Sequence, residues 1–206
     1  MAVFYIKYHT ENKYENWVNH SFFSLLILPS EDKNQKRLSF NVKNSQLEPF
    51  FLQKNLYGFE QIIIRPDKPF NALTITVDAS VKMEPINSFE TVDLPIKLEK
   101  NMLASSEFKF EHYSFLTQTS KTTLNDKSII TSLFMEEKES CFNFLLKIND
   151  FIYHHFKFLD SVNSLERDAN TTWVEKTGVC QDFTHLFIAI CRINGIPARY
   201  VSGYLN

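Results

Sequence analysis

Gly178-Val179-Cys180-Gln181-Asp182-Phe183-Thr184-His185-Leu186-Phe187-Ile188-Ala189-Ile190-Cys191-Arg192-Ile193 is the most informative stretch of this 206-residue chain. Phe183, Leu186, Phe187, Ile190 and Cys191 recur at helical spacing and fall on one stripe, which predicts a buried helix beginning at or beside Cys180. Asn194-Gly195-Ile196-Pro197 ends it, and the residues that follow read as a strand over 198–204. A thiol in the first turn of a helix meets free backbone N–H groups and the positive end of the helix dipole, and both favour the thiolate. Gly178 just before it permits a tight approach of the chain. Placement alone is weak evidence, because a single unexplained cysteine is more often a small buried hydrophobe.

Upstream, the pattern is different. Leu145, Ile148, Ile152, Phe156 and Leu159 predict an amphipathic helix over 139–158. A polar loop follows at 160–170. Thr172-Trp173-Val174-Glu175 then has the spacing of a capping box and predicts a short helix that stops by Gly178. Residues 84–130 contain Pro85, Pro95 and many Ser, Thr and Asn, and read as a connector with one or two short helices. Residues 1–100 read as β, with strands at 3–8, 21–28, 37–42, 59–64 and 72–83 separated by turn-rich clusters such as 29–34 and 65–69. Ala72 to Val77 alternates as a half-buried strand does. Short strands at this spacing predict an antiparallel β-sandwich. The expected architecture is α+β: a sandwich over 1–100, a connector over 101–138 and a helix-rich part over 139–206.

Composition narrows the chemistry. The four glycines stand at 58, 178, 195 and 203, so no Gly-rich phosphate loop can be written. A net charge of −2 without a basic stripe argues against nucleic acid. The longest dense apolar run, 22–28, is too short for a bilayer, and the first residues carry no secretion signal. Cys141, Cys180 and Cys191 form no CxxC pair, so a disulfide framework or a structural zinc is not expected and reduced thiols fit a cytoplasmic protein.

The segment Gly178 to Leu186 and the segment Cys191 to Tyr204 closely resemble the bacterial transglutaminase-like family, with its GVCxDFxHL helix followed by a GIPARYVSGY strand. The N-terminal half is similar, more loosely, to the β-sandwich that precedes the core in this family. That likeness lies in residues 25–29, in 55–59 and in the strand from Thr74 to Met83. The resemblance implies a papain-like Cys-His-Asp triad in which Cys180 is the nucleophile. Its thiolate would attack a peptide or carboxamide carbonyl and form a thioester, with hydrolysis favoured over crosslinking. It implies a peptide or protein substrate and no metal or organic cofactor. In the family the His and Asp come from the two strands after GIPARYVSGY, and the sequence ends at Asn206 before positions that would match them. These 206 residues alone are therefore expected to show little triad-dependent activity. A non-catalytic binding or assembly module that keeps the fold is the alternative.

The remaining candidates weigh as follows. His185 lies five residues after Cys180, roughly 140° around the helix and ~7.5 Å along it, out of hydrogen-bond reach. Asp182 in the first turn suits the dipole and can cap backbone N–H groups. His154 and His155 fit the C-terminal turn of their helix. Trp173 and Gln181 are the substrate-cleft candidates, although Trp173 would equally serve as a core anchor. An unpaired strand at 198–204 with Tyr200 and Tyr204 exposed would invite self-association.

Overall fold

The computed structural model describes residues 2–55, 57–85, 94–125, 131–159 and 167–204. The chain divides into two compact units, Met1–Thr91 with Gly203–Asn206, and Val92–Ser202.

The first unit is a sandwich of two antiparallel sheets. Strands β1 (Ala2–Val18), β6 (Phe70–Met83) and β3 (Gln35–Asn44) form one, with β6 in the centre. Strands β2 (Phe23–Leu25), β5 (Glu60–Ile64) and β4 (Phe50–Lys54) form the other, with β5 in the centre. Phe70, Leu73, Ile75 and Val77 from β6, Val42 from β3, and Ile62 and Ile64 from β5 pack as one buried cluster, so the two sheets share a core. Leu73, Ile75 and Val77 alternate along the strand because successive side chains point to opposite faces. Burying each contributes about 1.5–3 kcal/mol.

Two strands exceed or escape their sequence signals. β1 runs to Val18 through polar residues because it lies at an edge and pairs with the long β6, from Ala2 opposite Met83 to Lys13 opposite Ala72. Its mostly exposed Lys and Asn residues suit an edge. β4 was not predicted; its apolar and polar residues do not alternate over enough positions to show a period, and pairing with β5 supplies its stability.

The second unit is helical. Three short helices occupy the predicted connector: α1 (Ile96–Ala104), α2 (Ser106–Glu111) and α3 (Tyr113–Leu116). They belong to the helical unit, where the Glu99 carboxylate accepts from the Cys141 N–H at 2.9 Å and the Phe115 carbonyl accepts from the Ala198 N–H at 3.0 Å. Helix α4 (Cys141–His155) starts where the Ser140 hydroxyl caps the Asn143 N–H, and it buries Phe144, Ile148 and Ile152. Helix α5 (Ala169–Glu175) and helix α6 (Cys180–Ile193) follow. α6 presents Leu186, Ala189, Ile190 and Cys191 to the core formed with α4. Two-residue strands β7 (Lys157–Phe158) and β8 (Thr177–Gly178) pair in parallel.

Several expectations are corrected. The short helix before Gly178 begins at Ala169 rather than near Thr172, because the Asp168 carboxylate accepts from the Thr171 N–H at 2.7 Å and caps an earlier start. Its end is at Glu175, with Lys176 in the left-handed region at φ 54°. Helix α4 stops at His155, where Phe156 becomes extended to enter β7. The expected strand at 198–204 is absent: no ladder forms there among the described residues. Instead the Ala198 carbonyl accepts from the Arg192 guanidinium, at 3.3 Å from Nε and 2.8 Å from Nη2, so the backbone groups a ladder would use are taken locally.

Candidate active site at the start of helix α6

Cys180 is the first residue of α6 and its side chain is exposed. The other two thiols differ. Burial pushes the Cys191 thiol up to about 12, with the neighbouring Cys141 adding to it. Burial and then the Glu99 carboxylate push Cys141 up to about 12 as well. Only Cys180 of the three combines exposure with a helix start.

The backbone that presents it is pinned from several sides. β8 ends at Gly178, two residues before the thiol, and β7 holds it: the Lys176 carbonyl accepts from the Lys157 N–H at 2.8 Å, and the Gly178 carbonyl from the Leu159 N–H at 3.0 Å. Below the turn lies Asp182, which is fully buried. Its Oδ2 accepts from the Val179 N–H at 3.0 Å, satisfying a donor at the helix start. The same oxygen stands 3.3 Å from Nε of Arg167, an ion-pair contact without hydrogen-bond alignment. Oδ1 is buried and accepts no hydrogen bond among the described residues. Capping by Asp182 was expected; its burial and its pairing were not.

Arg167 was not anticipated at all. Its guanidinium donates to Glu175 Oε2 at 2.5 Å and to the Thr177 carbonyl at 2.6 Å, besides meeting Asp182. One side chain therefore ties the end of α5, strand β8 and the first turn of α6. Its signal in the sequence was faint: a lone arginine in a polar loop, fifteen positions before the acid it meets.

The predicted cleft residues separate. Trp173 stacks on Phe151 at 5.9 Å and packs against Phe156, while Nζ of Lys176 lies 3.3 Å from the ring centroid. This aromatic cluster adjoins the core, and Trp173 is partly buried against it. Lys176 contacts Phe156 too, at 4.6 Å, and burial lowers its pKa. These contacts help hold Lys176 in its left-handed conformation. Gln181 is half-buried beside Cys180 in the first turn of α6.

Among the described residues no histidine is hydrogen-bonded to Cys180. His185 faces Tyr200 at 5.7 Å between ring centroids, and its Nδ1 is buried without a partner. Burial lowers its pKa, with Asp182 opposing the shift. His154 pairs with Asp150 at 3.3 Å within α4, and His155 Nδ1 lies 2.9 Å from the Phe151 carbonyl. His112 stacks on Phe108 in α2. No group of three potential metal ligands occurs among the described residues, and no described helix is long and apolar enough to cross a membrane.

Residues 130–206 match the family described as the transglutaminase-like superfamily. Similar in sequence are uncharacterised proteins of Mycobacterium tuberculosis and Mycobacterium bovis, each 43% identical over 54 residues. That stretch covers 26% of this chain and 17% of theirs. An uncharacterised protein of Mycobacterium leprae is 66% identical over 29 residues, 14% of this chain and 10% of its own. In three dimensions the chain resembles the crystal structure of a "putative cysteine protease" from Cytophaga hutchinsonii, with a TM-score of 0.58 and 17% identity. That likeness covers 95% of this chain and 67% of the other, and it shows a shared α+β fold.

Proposed function

We propose that Cys180 is the nucleophile of a thiol enzyme acting on peptide or carboxamide carbonyls. The observation that carries this reading is the exposed thiol at the first residue of α6, on a turn pinned by β7, Arg167 and Asp182. The thiolate sulfur adds to the carbonyl carbon, and the tetrahedral intermediate expels the amine, which takes up a proton. A thioester remains. Water then adds to it, releasing a carboxylic acid and regenerating the thiol. The superfamily match and the fold shared with the Cytophaga protein support this chemistry, and hydrolysis is the favoured outcome.

A base is needed to take the thiol proton and return it to the leaving amine. No described histidine is hydrogen-bonded to Cys180. On this reading the 206 residues alone alkylate readily at Cys180 and turn over slowly or not at all. Turnover is expected where the His and Asp of the resembling family are present. The non-catalytic alternative draws on the same missing contact and keeps the fold as a binding or assembly module.

The test is amide hydrolysis of a peptide library by the longest natural form of the protein, alongside its Cys180→Ala variant. Cleavage that disappears with Cys180 supports the enzyme. Cleavage unaffected by the substitution sinks the nucleophile assignment, and no cleavage by a form carrying His- and Asp-bearing downstream strands favours the binding module.

A further inference from the structure

A helix cap needs only a hydrogen-bond acceptor, which Asn or Ser supplies without charge. The chain instead places a fully buried carboxylate at Asp182, whose Oδ1 accepts no hydrogen bond among the described residues. Buried charge is costly unless paired, and the pairing partner here, Arg167, has only 11% of its side chain exposed. Gly178 makes room for the arrangement: a Cβ there would lie 2.8 Å from both Cβ and Oδ2 of Asp182. The carboxylate bonds the N–H of Val179, the residue bonded directly to Cys180. Charge, cap and glycine thus converge on the backbone that carries the thiol.

We propose that Arg167 and Asp182 are positioning residues for Cys180: the pair fixes the turn at 177–180 and balances the charge at the first turn of α6. This rests on the reading of Cys180 as a nucleophile. Arg167 brings a positive charge to the first turn of α6, and Asp182 brings a negative charge that offsets it. Glu175 on α5 shares the same guanidinium. Among the described residues, the other ionisable groups near the pair include Lys176 after α5, His185 on α6, Asp168 at the start of α5, and Lys121, whose Nζ donates to the Arg167 carbonyl at 3.2 Å. Asp168 and Lys121 reach His185 with opposite signs.

The experiment measures the rate of Cys180 alkylation by iodoacetamide against pH on the full chain, with peptide mapping and a melting curve for each variant. Asp182→Asn leaves Arg167 with Glu175 as its remaining acid and moves the midpoint of the rate profile down by about half to one pH unit. Arg167→Gln leaves the carboxylate uncompensated and moves it up by about the same amount. The double variant returns to within about 0.2 unit of the unaltered chain, since replacing a whole buried pair removes both charges together. Glu175→Gln alters a half-exposed side chain and keeps the test open if a single variant fails to melt cooperatively. It lowers the midpoint by about 0.3 unit by freeing the guanidinium from its second acid.

A purely structural role moves every variant's stability and leaves the profile in place, or shifts both single variants the same way. Either result overturns the pairing inference. Selective labelling of Cys180 in the unaltered chain, with variants that do not separate, leaves the nucleophile standing and removes only this inference. Cys180 labelling no faster than Cys141 or Cys191 brings both down.

Discussion

Gly178 and Asp182 are in mutual contact across the start of α6, where any side chain on the first would have its Cβ 2.8 Å from the carboxylate of the second. The restriction is steric, because Gly178 is not among the residues with positive φ. Gly178→Ala must therefore displace either the turn or the buried acid. It is expected to cost about 1–3 kcal/mol in a urea melt, as overpacking of a tight site does. A neutral change in stability would mean that the turn can yield.

The sandwich and the core helices were legible because their signals are local. Alternation in β6 and the stripe of α6 follow from strand and helix periods, and α6 does begin at Cys180. What was illegible depends on contacts between distant positions. Arg167 and Asp182 meet across fifteen residues of chain, and no period links them. The parallel pair β7 and β8 is two residues long on each side, below the length at which alternation can be read. The segment 198–204 has strand-like composition, yet a strand needs a neighbour, and its Ala198 groups bond Phe115 and Arg192 instead.

His185 should make the fold acid-sensitive. Its folded pKa lies below the ordinary 6.5 chiefly because of burial, so the unfolded chain binds the proton first. The stability it contributes is complete above about pH 6.5 and is lost as the pH falls through that value. His185→Gln is expected to reduce the drop in melting temperature between about pH 7.5 and pH 5.5. An identical drop in both proteins would remove His185 as the sensor.

Asp168 begins α5 and so sets the register of the turn that leads to Cys180. Asp168→Ala is expected to lower stability by about 1 kcal/mol, and Asp168→Asn by less, since the cap needs an acceptor rather than a charge. Chemical denaturation of the two variants distinguishes a cap from a charge contact.

Trp173 is held by Phe151, Phe156 and Lys176, which makes it an anchor of α5. Trp173→Leu is expected to destabilise the chain by about 1–3 kcal/mol while the alkylation rate of Cys180 stays within about twofold of the unaltered chain. A large fall in that rate with unchanged stability would instead put the indole in the cleft.

The account stands most directly on the three thiols. At about pH 7.5, limiting iodoacetamide followed by peptide mapping should label Cys180 at least about tenfold faster than half-buried Cys141 and buried Cys191, whose thiols are held protonated. Equal, slow labelling of all three would contradict the assignment of Cys180 as a nucleophile.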